Sequence, residues 1–218
     1  MIAVMVASFI IQQTLNARFA KYSKILGPSG MTGAEVARKM LSDHMVRDVD
    51  IVSISGTLTD HYNPQTKKVN LSEAVYGQRS IAAAAVAAHE CGHVIQHAEG
   101  YAPLRLRTAL VPVVSFASKW VTWVLMAGVI FINIFPSLIW IGIGLFALTT
   151  LFSFVTLPVE IDASRRAVAW LENAGITDSQ TKPMAVDALK WAAYTYVIAA
   201  LGSLATLIYY ISMASSRR

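Results

Sequence analysis

Two long uncharged tracts, residues 120–157 and 191–216, dominate the pattern of polar and apolar positions along this chain. The first is interrupted near its middle by Asn133, Pro136 and Ser137, so it predicts a helical hairpin in a membrane rather than one rod. Its second arm, 138–157, has the roughly 20 apolar residues that cross a bilayer. The first arm must start near Leu110 and carry Lys119, which has to snorkel or face protein. The second tract has Trp191, Tyr194 and Tyr196 at one end and Tyr209 and Tyr210 at the other, the aromatic signature of two membrane interfaces. Residues 1–17 are apolar but broken by Gln12, Gln13 and Asn16, so this segment either crosses the bilayer or anchors on it. No basic residue precedes its apolar run and no small-residue cleavage site follows, so it is expected to remain in the mature protein.

Residues 18–109 have a different rhythm, and read as water-facing. Thr32 and Glu35 form a capping box ahead of an amphipathic helix through Leu41. Short strands are expected at 49–54, 57–61 and 67–71, with Asn63 and Pro64 turning the chain between the last two. Ser80 then caps an alanine-rich helix running to about Glu99. The expected fold is a mainly α membrane protein: transmembrane helices plus a small α+β region with a short sheet. Its parts are a span or anchor at 1–17, the α+β region at 18–109, a transmembrane hairpin at 110–157, a helix and loop at 158–190, and a last span at 191–214.

Composition supports lipid as the solvent. Hydrophobic residues make up 55% and charged residues 14%, against roughly 25% charged in soluble domains, and mean hydropathy is +0.51. The single cysteine, Cys91, excludes an internal disulfide and a thiolate zinc cluster. The net charge of +5 comes from Lys and Arg scattered singly or in pairs, which argues against nucleic acid as a partner. Those charges read instead as topology signals. Arg18, Lys21, Lys24, Arg105, Arg107, Arg165, Arg166, Lys182 and Lys190 fall on one side, against Arg217 and Arg218 opposite, which predicts that the first side faces the cytoplasm of a bacterial cell membrane.

The chemistry lies in the alanine-rich helix, where residues 89–93 read His-Glu-Cys-Gly-His. Four residues turn a helix by about 400°, so His89 and His93 project from one face and can bind one zinc ion. Glu90, not needed as a ligand, is placed to take a proton from a water on the metal and return it to a departing amine. Catalytic zinc takes three protein ligands, and the best third is Glu160, because a two-helix hairpin returns the chain to its starting side. Asp162, two residues on and about 200° around the helix, is assigned to hydrogen-bond a ligand imidazole or cap the helix. His97 lies about 12 Å along the axis from His89, too far to share the ion, while His44 and His61 default to surface or supporting positions. Gln96 and Glu99 stand where the longer metzincin pattern needs Gly and His. Cys91 points off the zinc face and is read as a packing residue.

These residues lie in longer matching stretches: SGMTGAEVARKML at 29–41, DHYNP at 60–64, VNLS at 69–72, SIAAAAVAAHECGHVIQHAEGYAPL at 80–104 and LPVEIDASRRA at 157–167. Together they resemble the YugP-type membrane zinc metallopeptidases. The resemblance implies a gluzincin-type membrane peptidase, related in logic to HtpX-like enzymes, with His89, His93 and Glu160 as ligands and Glu90 as base. HtpX-like enzymes place an aspartate four residues after the third ligand, where this chain has Ser164. Such peptidases also put an edge strand upstream of the zinc helix, which makes 67–72 the expected substrate-pairing edge and Asn70 a candidate substrate contact. Tyr196, Arg165 and Arg166 are read first as anchors at the membrane interface and second as candidates to stabilise an oxyanion.

The expected activity is a zinc-dependent endopeptidase acting on membrane or membrane-adjacent polypeptides. A noncatalytic zinc-stabilised scaffold would have no use for Glu90 beside the ligands. A zinc transporter would carry its metal residues at bilayer depth on spanning helices.

Overall fold

The computed structural model describes residues 2–216; Met1, and the Arg217 and Arg218 counted above among the opposing charges, lie outside the described residues. The elements in order are α1 (Ile2–Tyr22), α2 (Gly33–Asp43), β1 (Asp50–Ile54), β2 (His61–Asn63), β3 (Lys68–Ser72), α3 (Glu73–Tyr76), α4 (Ile81–Ala98), α5 (Ala102–Ile130), α6 (Pro136–Asn173) and α7 (Lys182–Ser215). The chain is a mainly α membrane protein with a small sheet. Among the described residues four helices, α1, α5, α6 and α7, are long and apolar enough to cross a bilayer. At 1.5 Å per residue α6 is about 57 Å and α7 about 51 Å long, so both exceed a hydrocarbon layer of about 30 Å and continue out of it into the α+β lobe.

That lobe is built around α4. Ser80 caps it by accepting from the Ala83 N–H at 3.2 Å, and Ile81, Ala82, Ala83, Ala85, Ala87 and Ala88 are wholly buried. Methyl side chains let neighbours approach α4 closely on every side, which is why a helix so rich in alanine sits at the centre and not at the surface. Met40 from α2, Val69 and Leu71 from β3 and Val75 from α3 close this core with no exposed area. The capping box of α2 forms as expected: the Thr32 hydroxyl accepts from the Glu35 N–H while the Thr32 N–H donates to Glu35 Oε2 at 2.7 Å.

The sheet departs from expectation in two ways. Its middle segment is extended at 61–63 rather than 57–61, because Gly56 (φ 115°) and Leu58 (φ 57°) are left-handed and turn the chain where a strand was expected. Its order is β1-β3-β2, with β1 parallel to β3 (Ile51 opposite Val69) and β2 antiparallel to it (Tyr62 opposite Val69). The strand at 68–72 is therefore central, paired with β1 along its length and with β2 over 68–70, and is not the edge of the sheet.

A third difference concerns Pro158. The sequence suggests a fresh helix there, yet α6 runs through it without interruption. Glu160 thus belongs to the same rod as the membrane arm, 24 residues and about 36 Å from its start at Pro136.

Candidate metal centre

Gly92 decides how α4 meets α6. A Cβ there would lie 2.7 Å from the Ala163 carbonyl oxygen, so only glycine lets the two helices touch at this point. That contact brings one turn of α4 over Glu160. His89 Nε2 and His93 Nε2 lie 3.3 and 3.5 Å from Glu160 Oε2, and the three candidate ligand atoms are all within 4.8 Å of one another. The rings stand edge to face, 4.8 Å between centroids. The other Glu160 oxygen, Oε1, faces Arg107 Nη1 at 3.4 Å.

The outward nitrogens of the two rings are also held. Ser164 Oγ lies 3.1 Å from His89 Nδ1, and Gln96 Oε1 lies 3.0 Å from His93 Nδ1. Gln96 is fully buried, and its amide nitrogen donates to Val159 O at 2.8 Å and Asp162 Oδ2 at 2.9 Å. Both partners are pure acceptors, so the amide nitrogen must face them and the amide oxygen must face the ring. In the neutral ring His93 Nδ1 then carries the proton, so Nε2, which bonds Glu160 only when it is protonated too, is the nitrogen offered to a metal. Asp162 is itself fixed by Arg166 Nε at 2.6 Å, and Arg166 Nη1 reaches Glu99 Oε2 at 2.6 Å. Asp162 therefore acts on the ring through Gln96 rather than directly. Ser164, four residues after Glu160 on α6, meets His89 Nδ1 with its hydroxyl.

The electrostatics favour a cation. Burial works against a charged His93, yet its hydrogen bond to Glu160 and the nearby charges of Glu90 and Glu160 raise its proton affinity above the ordinary imidazole value. Two imidazole nitrogens and one carboxylate oxygen are the donor set of hydrolytic zinc sites, so the residues present fit that metal. Glu90 is 7% exposed, and its Oε2 accepts from the Tyr62 N–H on β2 at 3.0 Å. It borders the same cavity of about 280 Å³ as His89, Glu160, Ser164 and Tyr196.

A family model described as "Putative neutral zinc metallopeptidase" matches residues 1–215. The chain belongs to this zinc peptidase family. A member from Bacillus subtilis (strain 168), named "Putative membrane protease YugP", is 42% identical over 210 residues, covering 96% of this chain and 92% of that protein. No solved structure matches the chain. Zinc is the metal of the family, in agreement with the donor set.

The structure places the other residues singled out in the sequence as follows. Asn70 is on the central strand, where its amide donates to His61 O and Lys68 O, so the strand-edge argument for a substrate contact fails. His97 is exposed and pairs with the Tyr62 hydroxyl at 3.1 Å, away from the metal donors. Cys91 is buried, donates to Ala37 O at 3.6 Å, and burial pushes its thiol pKa up, so it is unreactive packing. Of the three oxyanion candidates only Tyr196 borders the cavity; Arg165 is exposed, and Arg166 is committed to Asp162 and Glu99. Sequence reasoning missed the roles of Gln96, Ser164 and Arg107. Gln96 lies three residues after His93, one helical turn, which is the signal that could have found it; Ser164 is noted in the sequence four after Glu160, without its bond to His89.

Proposed function

We propose that this protein is a membrane-embedded zinc endopeptidase that hydrolyses peptide bonds of polypeptides in or beside the bilayer, with His89, His93 and Glu160 as the zinc ligands and Glu90 as the general base. The observation that carries this reading is the convergence of two imidazole nitrogens and a carboxylate oxygen within 4.8 Å, with a second buried carboxylate, Glu90, bordering the same cavity. Zinc held by His89, His93 and Glu160 would supply Lewis acidity, which polarises a carbonyl and lowers the pKa of water towards neutral. Glu90, oriented by the Tyr62 N–H, accepts a proton from water and delivers it to the departing amine nitrogen. Gln96 holds His93 in the tautomer whose Nε2 is offered to the metal, Ser164 orients the His89 ring, and Asp162 with Arg166 fixes Gln96 in turn. Tyr196, with its ring on the cavity wall, is the group that donates a hydrogen bond to the developing oxyanion.

A noncatalytic zinc-stabilised scaffold is the rival reading. It gives no reason to place a second buried carboxylate, Glu90, on the cavity beside the donors, since only one of its oxygens is used by the Tyr62 N–H. The decisive experiment compares wild type with Glu90→Gln for zinc content and for hydrolysis of labelled casein. We expect equal metal, about one per chain, and a loss of hydrolysis of about 10²-fold or more. A Glu90→Gln protein that cleaves as well as wild type would remove the assigned base.

The charge distribution supports a multi-pass protein of the bacterial cytoplasmic membrane with this site on the cytoplasmic side. Cysteines introduced at Ser137 and Thr66 test it: an impermeant thiol reagent applied to intact cells should label only position 137, and labelling only at 66 would invert the topology.

A further inference from the structure

The cavity beside the metal donors is the inner end of a cleft between α1 and α7. The two helices are tied at both ends of this cleft. At one end the Tyr22 hydroxyl donates to Asp187 Oδ2 at 2.6 Å, and Arg18 Nε lies 3.4 Å from the same oxygen. At the other end a Cβ on Gly202 would lie 2.9 Å from Val4 Cγ1, so the helices approach closely there. Between the ties, Gln12, Leu15 and Phe19 of α1 and Ala192, Ala193 and Tyr196 of α7 line the opening that leads to His89 and Glu90. Ala192 and Ala193 present only methyl groups and are half-buried, so packing does not fill the gap.

Depth gives this opening its meaning. Tyr196 stands 19 residues, about 29 Å, from the end of α7 at Ser215, which matches the thickness of a hydrocarbon layer. Asp187 lies about 13 Å beyond it, among the charged residues. The cleft therefore straddles the boundary where lipid tails give way to headgroups. Its outer wall is weakly held, since no residue in the most apolar stretch of α1 is buried and only Phe19 and Tyr22 of that helix are. Gln12 is an exposed amide in this otherwise apolar wall, with its nitrogen donating to Asn16 Oδ1 at 3.2 Å. At such a depth a glutamine can pair with backbone groups that a polypeptide exposes when it unwinds on leaving the bilayer.

We infer that the α1–α7 cleft is a lateral entrance for a membrane-spanning polypeptide, which enters from the lipid at the point where it leaves the bilayer and presents its unwound juxtamembrane residues to the metal site. This deepens the peptidase reading and rests on it for the cutting step. The apolar part of the occupant continues the lipid environment between α1 and α7, Gln12 meets its freed backbone, and the alanines leave room for its side chains. α1 is then a substrate wall rather than an anchor.

The test uses the full chain in liposomes, zinc-loaded, with Glu90→Gln to prevent cutting, Cys91→Ala, and a bimane fluorophore on Leu15→Cys. The probe is a synthetic peptide of about 20 Leu and Ala residues followed by a Gly/Ser tail, with a nitroxide quencher on the first tail residue. We expect saturable quenching by this peptide, none by the free tail, and a concentration requirement about tenfold higher when Ala193→Trp fills the cleft at unchanged zinc content. Absence of quenching, or equal quenching by the free tail, overturns the inference, and neither result depends on the Ala193→Trp variant folding. Quenching by nitroxide-labelled lipid that the spanning peptide does not displace would make the cleft a lipid slot and also overturn it. The peptidase reading stands or falls separately: with Glu90 restored, a protein that cuts casein but does not bind the peptide keeps the activity and loses the entrance, and one that binds without cutting does the reverse.

Discussion

The α4–α6 contact and the α1–α7 contact involve helices of similar apolar character, yet they are built in opposite ways. Between α4 and α6 a glycine removes the space for a side chain, and a buried glutamine ties His93 to Val159 O and Asp162. Between α1 and α7 a half-exposed carboxylate, Asp187, and one close approach at Gly202 hold two helices apart over a cleft. The difference teaches that the chemical groups are fixed by buried, fully paired contacts, whereas the helices beside the path to them are joined by a half-exposed polar tie and one apolar approach. Perturbing the first pair should change metal affinity; perturbing the second should leave it alone.

Glu160→Gln should have the largest effect, lowering zinc affinity by more than about 10²-fold, beyond the range expected for a group outside the ligand set. Zinc titration against a competing chelator measures it. If Asp162→Asn loses the metal while Glu160→Gln keeps it, the two carboxylates have been assigned in reverse.

Gly92→Val should come next. It pushes α4 off Ala163 O, and overpacking of this kind typically costs about 1–3 kcal/mol, read as a fall in chemical-denaturation midpoint together with weakened zinc binding. Normal zinc affinity in a folded Gly92→Val protein would show that the helix contact does not set the donor geometry.

Gln96→Leu keeps the volume and removes the bond to His93 Nδ1, so zinc affinity should fall by about 10- to 100-fold. Asp162→Asn should fall in the lower part of that range, because it acts through Gln96. The Gln96→Leu/Asp162→Asn double variant should then be little worse than Gln96→Leu alone. Simple additivity would mean that Asp162 reaches the metal by another route.

The smallest effect belongs to Asp187→Asn. It weakens the tie to Tyr22 and Arg18 at a half-exposed position, so stability should fall by no more than about 1 kcal/mol and zinc affinity should not change. A large loss of zinc would show that α1 and α7 support the metal donors after all.

The parts of this structure that were legible in the sequence are those written within one helical turn or one uninterrupted tract. His89 and His93 are four residues apart, Thr32 and Glu35 are three apart, and the hairpin turn is marked by Asn133 and Pro136. Each is a local rule of helix geometry or solvation. What could not be read depends on which helix faces which. Ser164 meets His89 across 75 residues, and Gln96 meets Asp162 across 66, so neither hydrogen bond has a local spacing of its own. The strand order failed for the same reason, since the parallel pairing of β1 with β3 skips β2 and leaves no mark in the short segments themselves. Pro158 misled because proline is a stop signal judged on local grounds, whereas here the helix continues through it with Val159 O and Glu160 engaged by α4 and α5.

The continuity of α6 makes it a lever. About 36 Å of helix separates Pro136, at the far side of the bilayer, from Glu160, so a change in tilt of about 5° carries Glu160 sideways by about 3 Å. Such changes arise whenever bilayer thickness changes. A metal shared between helices that moved independently would be lost at that amplitude. The Gly92–Ala163 contact and the Gln96 bonds tie α4 to α6 at the level of Glu160, so the donors on the two helices are coupled to the same tilt.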